Sequence, residues 1–457
     1  MKKVLATILA LVMAIGLCSI SWATESGLPA VENGVIKLTG NATTATLQDD
    51  IIYDLNSHTL TYNGTTHEVA EGKTLTFMDS SVTGNARGGT LELSGVTGTR
   101  AAINPQRGAT LKVSNIKVTC TGSAFFPQGD AAKVDVTACD VTAPIYCVGT
   151  NAGSTNNYNV VITLKDSTFV ASADDGDNCA VMINVPGTLN IDNCTITGDR
   201  QAVLVRAGTA VITNSDIKTT GKFNEASTKY HSGAWKDGNE VPAAALTVGN
   251  YQNKAATAYL ADAKVTVTNT KLTAENGVPA IYTDANNTYK GDLTIGGDST
   301  VVTGEVMKGQ KADKAVVAVT GGTFSSDVSA YAPEGTPVAM VGNDYAVGSS
   351  AISAAANGGK TVFVVKAGPI NGVDAGKSIT VNRNVTGVVT VNGNTVAAGT
   401  SYTVPARYYY YNSTTTDTKT TDTKGSPKTF DAGIALYVGM ALTSAVGVAF
   451  VGKKRED

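Results

Sequence analysis

A short phrase recurs along this chain: apolar and polar residues alternate, a small polar corner follows, and one more small or apolar residue closes the phrase. It reads Leu111-Lys-Val-Ser-Asn-Ile116, Val134-Asp-Val-Thr-Ala-Cys139, Ile162-Thr-Leu-Lys-Asp-Ser167 and Leu189-Asn-Ile-Asp-Asn-Cys194. It returns as Val211-Ile-Thr-Asn-Ser215, Val265-Thr-Val-Thr-Asn-Thr270 and Val317-Ala-Val-Thr-Gly-Gly322. The corners fall at positions 115, 138, 166, 193, 214, 269 and 321, so the first five are 23, 28, 27 and 21 residues apart. Alternation with a period of two marks strands with one buried face. A repeat of this length suits a coil in which each turn stacks on its neighbours, about 4.8 Å apart. The two wider gaps leave room for rungs with longer loops. No stretch of the body keeps the spacing of an amphipathic helix for ten residues, and the Leu-rich consensus of a leucine-rich repeat is absent. Corner Asn and Gly suit bends that need a left-handed backbone.

Between these phrases lies a second one, an Ala before an apolar run: Ala102-Ile103, Ala124-Phe125, Ala180-Val181, Ala202-Val203, Ala245-Leu246 and Ala280-Ile281. The residue after Ala is expected inside the coil and the next one outside. The outer positions are Asn104, Phe126, Met182, Leu204, Thr247 and Tyr282, with Tyr146 added if Pro144 takes the place of Ala. Phe126, Tyr146, Met182 and Tyr282 would then form an exposed ridge suited to stacking on sugars or on a partner protein. Tyr230 and Trp235 lie in the longest insertion, 221–242, and are the loop candidates for the same role.

The fold expected is therefore all-β, a right-handed parallel β-helix over residues 89–331, with a cap and first rungs over 24–88. Asp54-Leu-Asn-Ser-His-Thr-Leu-Thr61 and Thr74-Leu-Thr-Phe-Met-Asp-Ser-Ser81 resemble the opening rungs of pectate-lyase-like β-helix surface proteins. Thr320-Gly-Gly-Thr-Phe-Ser-Ser-Asp327 resembles a phrase that closes such bodies in Gram-positive surface proteins. The resemblance spans roughly residues 34–331. It implies the fold and carries little about activity. After Pro333, Gly335 and Pro337, the segment 332–405 reads as a small β-rich module with a short Ala-rich helix near 349–357 and a hairpin at Asn392-Gly393, or else as further rungs.

Both ends point to export and anchoring. Lys2 and Lys3, the apolar run 4–17 and Ser21-Trp22-Ala23 read as a signal peptide, residues 1–23, cleaved after Ala23. Residues 406–429 form a Thr-, Asp- and Lys-rich stalk that cannot bury a core. Residues 430–452 hold an uncharged apolar stretch, 433–452, long enough to cross a bilayer, and Lys453-Lys454-Arg455 open a basic tail, 453–457, expected on the cytoplasmic side. This order resembles a cell-wall sorting signal. Ser426-Pro427-Lys428-Thr429-Phe430 matches its Pro and Thr, with Phe430 where Gly belongs. Sortase and peptidoglycan are then partners if the motif is accepted, and the membrane alone if it is not.

Composition narrows the chemistry. Lys plus Arg (35) and Asp plus Glu (38) nearly cancel, giving a net charge of −3 and no basic face for nucleic acid. Of six cysteines, five remain after cleavage, at irregular spacing and with no CxxC pair, so neither a disulfide framework nor a zinc site is expected. Cys139 and Cys194 share the corner column, but Ser167 separates them by about 10 Å, too far to bond. No cofactor is expected except calcium, for which Asp174, Asp175 and Asp177 supply three carboxylates in one turn, with Arg200 about one rung later. Enzymes of the resembled fold act on acidic polysaccharides through calcium and a basic residue or through paired carboxylates. No triad and no phosphate loop is legible, and no catalytic residue is assigned. The first expectation is an adhesin-like surface protein that binds glycan or protein. The alternative is a surface polysaccharide lyase or glycoside hydrolase.

Overall fold

The computed structural model describes residues 27–150, 159–172, 178–221, 242–249, 261–285, 289–309 and 314–406. All of these lie in one compact unit that ends at Ala406. The signal segment, the stalk, the apolar stretch 433–452 and the motif 426–430 lie outside the described residues. Among the described residues no helix is long and apolar enough to cross a membrane.

The recurring phrase folds as its alternation demands. Lys133–Thr137 is a strand whose even positions, Val134 and Val136, are fully buried while Lys133 faces water. It pairs in parallel with Thr110–Ser114 on one side and Val160–Lys165 on the other, so that Val134 stands between Leu111 and Ile162. The same pairing runs through eleven strands from Val35–Lys37 to Ala315–Val319, all parallel and in chain order. After each corner a second strand enters another parallel series, from Ala42–Thr44 to Gly322–Phe324, and on most passes a strand of a third group follows. The chain is thus all-β with long parallel sheets, visited in rotation, an arrangement compatible with a β-helix solenoid.

The two wider gaps have different causes. Between the corners at 269 and 321 lies one more rung, Gly291–Gly296, paired with the strands on both sides. Between 214 and 269 there is none, because Gly208–Thr213 pairs directly with Ala263–Thr268. The added length enters instead on either side of Ala244–Val248.

Inside, equal side chains stack. Phe77, Val113, Val136, Leu164, Ile191 and Ile212 occupy one column in unbroken register. None of the six is more than 1% exposed. At its start Tyr53 and Phe77 stack with ring centroids 5.3 Å apart. Removing one such residue, as in Leu164→Ala, opens a cavity between two rungs and costs about 2–5 kcal/mol.

The corners are left-handed, as their Asn residues suggest. Asn115, Ala138, Asp166, Asn193, Asn214 and Asn269 have φ of 58°, 54°, 50°, 52°, 52° and 51°. At the last corner the left-handed residue is Gly322, one position beyond the expected Gly321. Outside the bend, polar side chains link rungs: Asn193 donates to Asp166 (2.6 Å) and Asn214 to Asp192 (2.9 Å). Inside it runs a column of small residues. Ser167 Oγ accepts from the backbone N–H of Cys139 and Ser215 Oγ from that of Cys194, each at 3.0 Å. Cys120, Cys139, Cys147, Cys179 and Cys194 are all free thiols.

Past the last parallel rung the geometry changes. Asp344–Val347 pairs antiparallel with Gly322–Phe324 and with Val338–Val341, so the sheet continues but the coil does not. Residues 338–403 enclose a second apolar core around Ile352, Val364, Ile379 and Val391, roofed by the helix Ser349–Asn357. The hairpin Val389–Val391/Asn394–Val396 turns through Asn392 (φ 48°) and Gly393 (φ 80°), the positive pair that a tight two-residue hairpin requires.

Two outcomes follow. Burial pushes the thiols of Cys139 and Cys147 up to about 12 and that of Cys194 up to about 11. At pH 8 these three should resist a thiol reagent in the native chain and react at once in denaturant. Rapid labelling of Cys147 before unfolding would contradict the packing. Asp79 offers the second. Burial alone would raise its carboxyl, but donors from Ser81, Ser57 and Gly89 more than offset this and hold it below the usual carboxylate range. A depressed folded-state value contributes stability above pH ~4 that is lost as pH falls through it. Asp79→Asn should therefore lower stability by about 1–3 kcal/mol at pH 7 and by less near pH 3, read from thermal unfolding at both pH values.

Candidate functional site

The second phrase builds the third face of the coil. His67–Val69, Ala101–Pro105 and Ser123–Phe125 form a three-stranded sheet. Cys179–Ile183, Gln201–Val205, Ala244–Val248, Ile281–Thr283 and Val306–Lys308 form a five-stranded one. Val148 joins them, bridging Phe125 and Val181, so the outer position on that rung falls at Gly149 and not, as the sequence suggests, at Tyr146. Ile103, Phe125, Val181, Val203, Leu246 and Ile281 point inward and are fully buried. Asn104, Phe126, Met182, Leu204, Thr247 and Tyr282 occupy the outer positions.

The outer row is not the exposed ridge that the sequence suggests. Phe126, Tyr146, Met182 and Tyr282 are 5%, 3%, 2% and 3% exposed. With Ala101, Ile145, Cys179, Leu204 and Ala244 they make an apolar cluster of their own, separate from the core inside the coil. Phe126 and Tyr146 meet edge to face at 5.3 Å. Apolar area gains about 25 cal/mol per Å² on leaving water, so burial is the stable state for so many large side chains in one row. Among the described apolar residues of the row, only Met307, at the far end, stays exposed. All six internal segments outside the described residues, 151–158, 173–177, 222–241, 250–260, 286–288 and 310–313, join the described chain beside strands of this face. Tyr230 and Trp235 lie in one of them, and Asp174, Asp175 and Asp177 in another.

Two positions beyond the outer residue on the strands of the five-stranded sheet, the buried polar side chains Asn184, Arg206 and Asp284 share a row with Gly249 and Gly309. Arg206 and Asp284 are fully buried, as is Asn184, which Thr150 Oγ1 meets at 2.7 Å. Tyr282 Oη donates to Asp284 at 2.9 Å, and a Cβ on Gly309 would lie 2.3 Å from that same carboxylate oxygen. Earlier in the strands, Asn178 accepts from the N–H groups of Asp199 and Arg200 and donates to the Pro144 carbonyl. Gln201 donates to the Pro242 carbonyl and accepts from Thr247. Arg200 is 2% exposed and so is part of this framework, not an open groove. Asn184, Arg206 and Asp284 went unassigned in the sequence, and their constant offset from the outer residue was the signal that could have found them. Among the described residues no group of three or more His, Cys, Asp or Glu side chains is placed to hold a metal.

At its N-terminal end the same face opens. Glu68 pairs in register with Asn104, and Phe126 follows on the next rung, its N–H bonded to the Ile103 carbonyl. Around this column lies a cleft of about 500 Å³ lined by Thr65, Thr66, Glu68, Thr99, Arg100, Ala101, Asn104, Phe126 and Gln128. Phe126 closes it on the side of the buried cluster. Its ring lies across the next rung, where a Cβ on Gly149 would come within 2.5 Å of Cε1. Asn104 is 7% exposed, and its Oδ1 is buried with no hydrogen-bond partner. Thr66 is already committed, donating to the Ala101 carbonyl at 2.7 Å, and Gln106 donates to the Asn104 carbonyl. Of the outer residues singled out from sequence as binders, Phe126 alone lines this cleft.

No protein-family model matches the chain, and neither does any curated protein or any solved structure.

Tyr282→Phe tests the buried row. It deletes one donor to a fully buried carboxylate and should cost about 1–3 kcal/mol in chemical unfolding. A cost near zero would mean that Asp284 does not depend on that bond.

Proposed function

We propose that this chain is a right-handed parallel β-helix related to the pectate-lyase-like surface proteins, exported and held at a cell surface by its C-terminal segment, where it acts as an adhesin-like binding protein. The observation that carries the binding role is the cleft over Glu68, Asn104 and Phe126, the place where the third face is open and holds an unmet buried acceptor. A stack of parallel strands is a rigid mount for such a site. The signal-like N-terminus and the sequence from Ser426 to Asp457 support the location. Membrane and peptidoglycan, through a sortase that tolerates Phe430, are the attachment partners, and a glycan or a surface protein is the ligand.

The reading as a polysaccharide lyase or hydrolase needs carboxylates and a cation converging on an open groove. The described cleft brings one of each, Glu68 and Arg100, to its lining. Acidic polysaccharides incubated with the chain should keep their length, and release of unsaturated or reducing ends would favour the enzyme instead.

Expression of the full chain in a Gram-positive host tests the location. The expected product begins at Thr24 and is reached by antibody on intact cells. Deletion of residues 430–457 should release it into the medium. A full-length, unprocessed chain retained inside the cell would overturn the proposal. The mass of the C-terminal peptide decides between cleavage after Thr429 and an intact membrane anchor.

A further inference from the structure

The geometry points to the cleft over Glu68, Asn104 and Phe126 as a subsite for a neutral saccharide unit, an inference that rests on the surface-binding reading above. Three features carry it. The first is the Asn104 carboxamide, more than nine-tenths buried, whose Oδ1 has no donor. Buried polar atoms in folded chains are hydrogen-bonded to protein, to water or to a ligand, so a ligand that displaces water beside this acceptor must present an O–H or N–H group. A purely apolar ligand would seal the acceptor off and leave it unmet.

The second feature is the lining. Glu68, Arg100 and Gln128 carry flat polar groups with paired donors or acceptors, and Thr65 and Thr99 add hydroxyls. Paired groups of this kind match two adjacent hydroxyls on one ring. Against them Phe126, 5% exposed, closes the inner end of the cleft with an apolar margin for the C–H groups of a sugar. The cleft, about 500 Å³, is within the range of ligand sites, roughly 300–1,000 Å³.

The third is charge. One carboxylate and one guanidinium line the cleft, so its formal charge sums to zero. A uronate or phosphate would find no cluster of cations there and would meet Glu68 as well as Arg100. A peptide adding to the sheet would pair along the free edge of His67–Val69, on the side away from Asn104 and Phe126.

The test is saturation-transfer NMR and titration calorimetry on the full chain in mild detergent. The probes are maltose, cellobiose, mannobiose, N,N′-diacetylchitobiose and, as the acidic control, digalacturonate. At least one neutral disaccharide should bind, and digalacturonate should bind more weakly. Asn104→Leu, which keeps the size but removes the acceptor, should weaken binding about tenfold or more. Gly149→Ala leaves every lining residue in place but crowds the Phe126 ring, and should also weaken it. If Asn104→Leu lowers the unfolding midpoint, Gln128→Leu, at a partly exposed lining position, serves in its place. Binding of no neutral disaccharide, preference for digalacturonate, or folded variants that bind as tightly as the parent would each overturn the inference. If the chain still adheres to cells while Asn104→Leu changes nothing, the cleft is wrong and the surface-binding reading stands. If sugars and cells are both ignored, the two fall together.

Discussion

The structure depends on the in-register stacking of parallel strands. Each inward side chain finds a similar one about 4.8 Å above and below it, and each interior strand has both ladders of backbone hydrogen bonds filled by its neighbours. The cost is concentrated at the corners, where a left-handed residue must recur on every rung. Asn accepts this conformation because its short side chain can bond locally, and here those side chains also bond to the neighbouring rung. Ala138 holds the same φ without that benefit, between Asn115 and Asp166. Its neighbours impose the bend, and Arg87 reaches across it to Asp140 and to the Asp166 carbonyl. Register, not local preference, sets the conformation at that position.

Such a stack has two ends, and both need closing. At the C-terminal end the chain reverses direction: Asp344–Val347 lies antiparallel on Gly322–Phe324, which ends the unbroken run of parallel pairs in that sheet. Lys366 extends the closure by donating to the carbonyls of Ser329 and Ala332, groups left over where the coil stops. At the N-terminal end the closure is chemical. Asp54 and Asp79 each gather several donors from neighbouring turns, and a buried carboxylate with its acceptor sites filled serves as a clamp.

Much of the fold was legible because the forces that make it are local and repeated. Alternation located the strands, the corner residues located the bends, and Asn392-Gly393 located a hairpin far from the coil. The segment 214–269 was harder, since a sequence gap does not say whether it holds a rung or an excursion. Only pairing of Gly208–Thr213 with Ala263–Thr268 decides that. Apart from Tyr146, whose place in the column belongs to Gly149, the outer row was read with the correct direction and the wrong exposure. Direction follows from a period of two within one strand. Exposure depends on what else the chain brings to that face, and nothing in Met182 or Tyr282 encodes it. The buried Arg206 and Asp284 escaped for a related reason: isolated in sequence, each looks like an ordinary surface charge.

The cleft was the least legible part, and the reason is geometric. Its lining comes from three stretches, 65–68, 99–104 and 126–128, brought together only by rung stacking. Asn104 and Phe126 hold equivalent positions on successive rungs, so a reading by pattern treats them alike. Their chemistry differs sharply. Phe126 is content in the apolar cluster, whereas the side-chain Oδ1 of Asn104, one rung earlier, is left without a donor. Along this row the side chain changes from charged to amide to aromatic in two steps of about 4.8 Å. A repeat that keeps its backbone constant can vary one position per rung at little cost to the stack. A site of mixed chemistry can therefore arise on an otherwise uniform face, at the end where the apolar row stops.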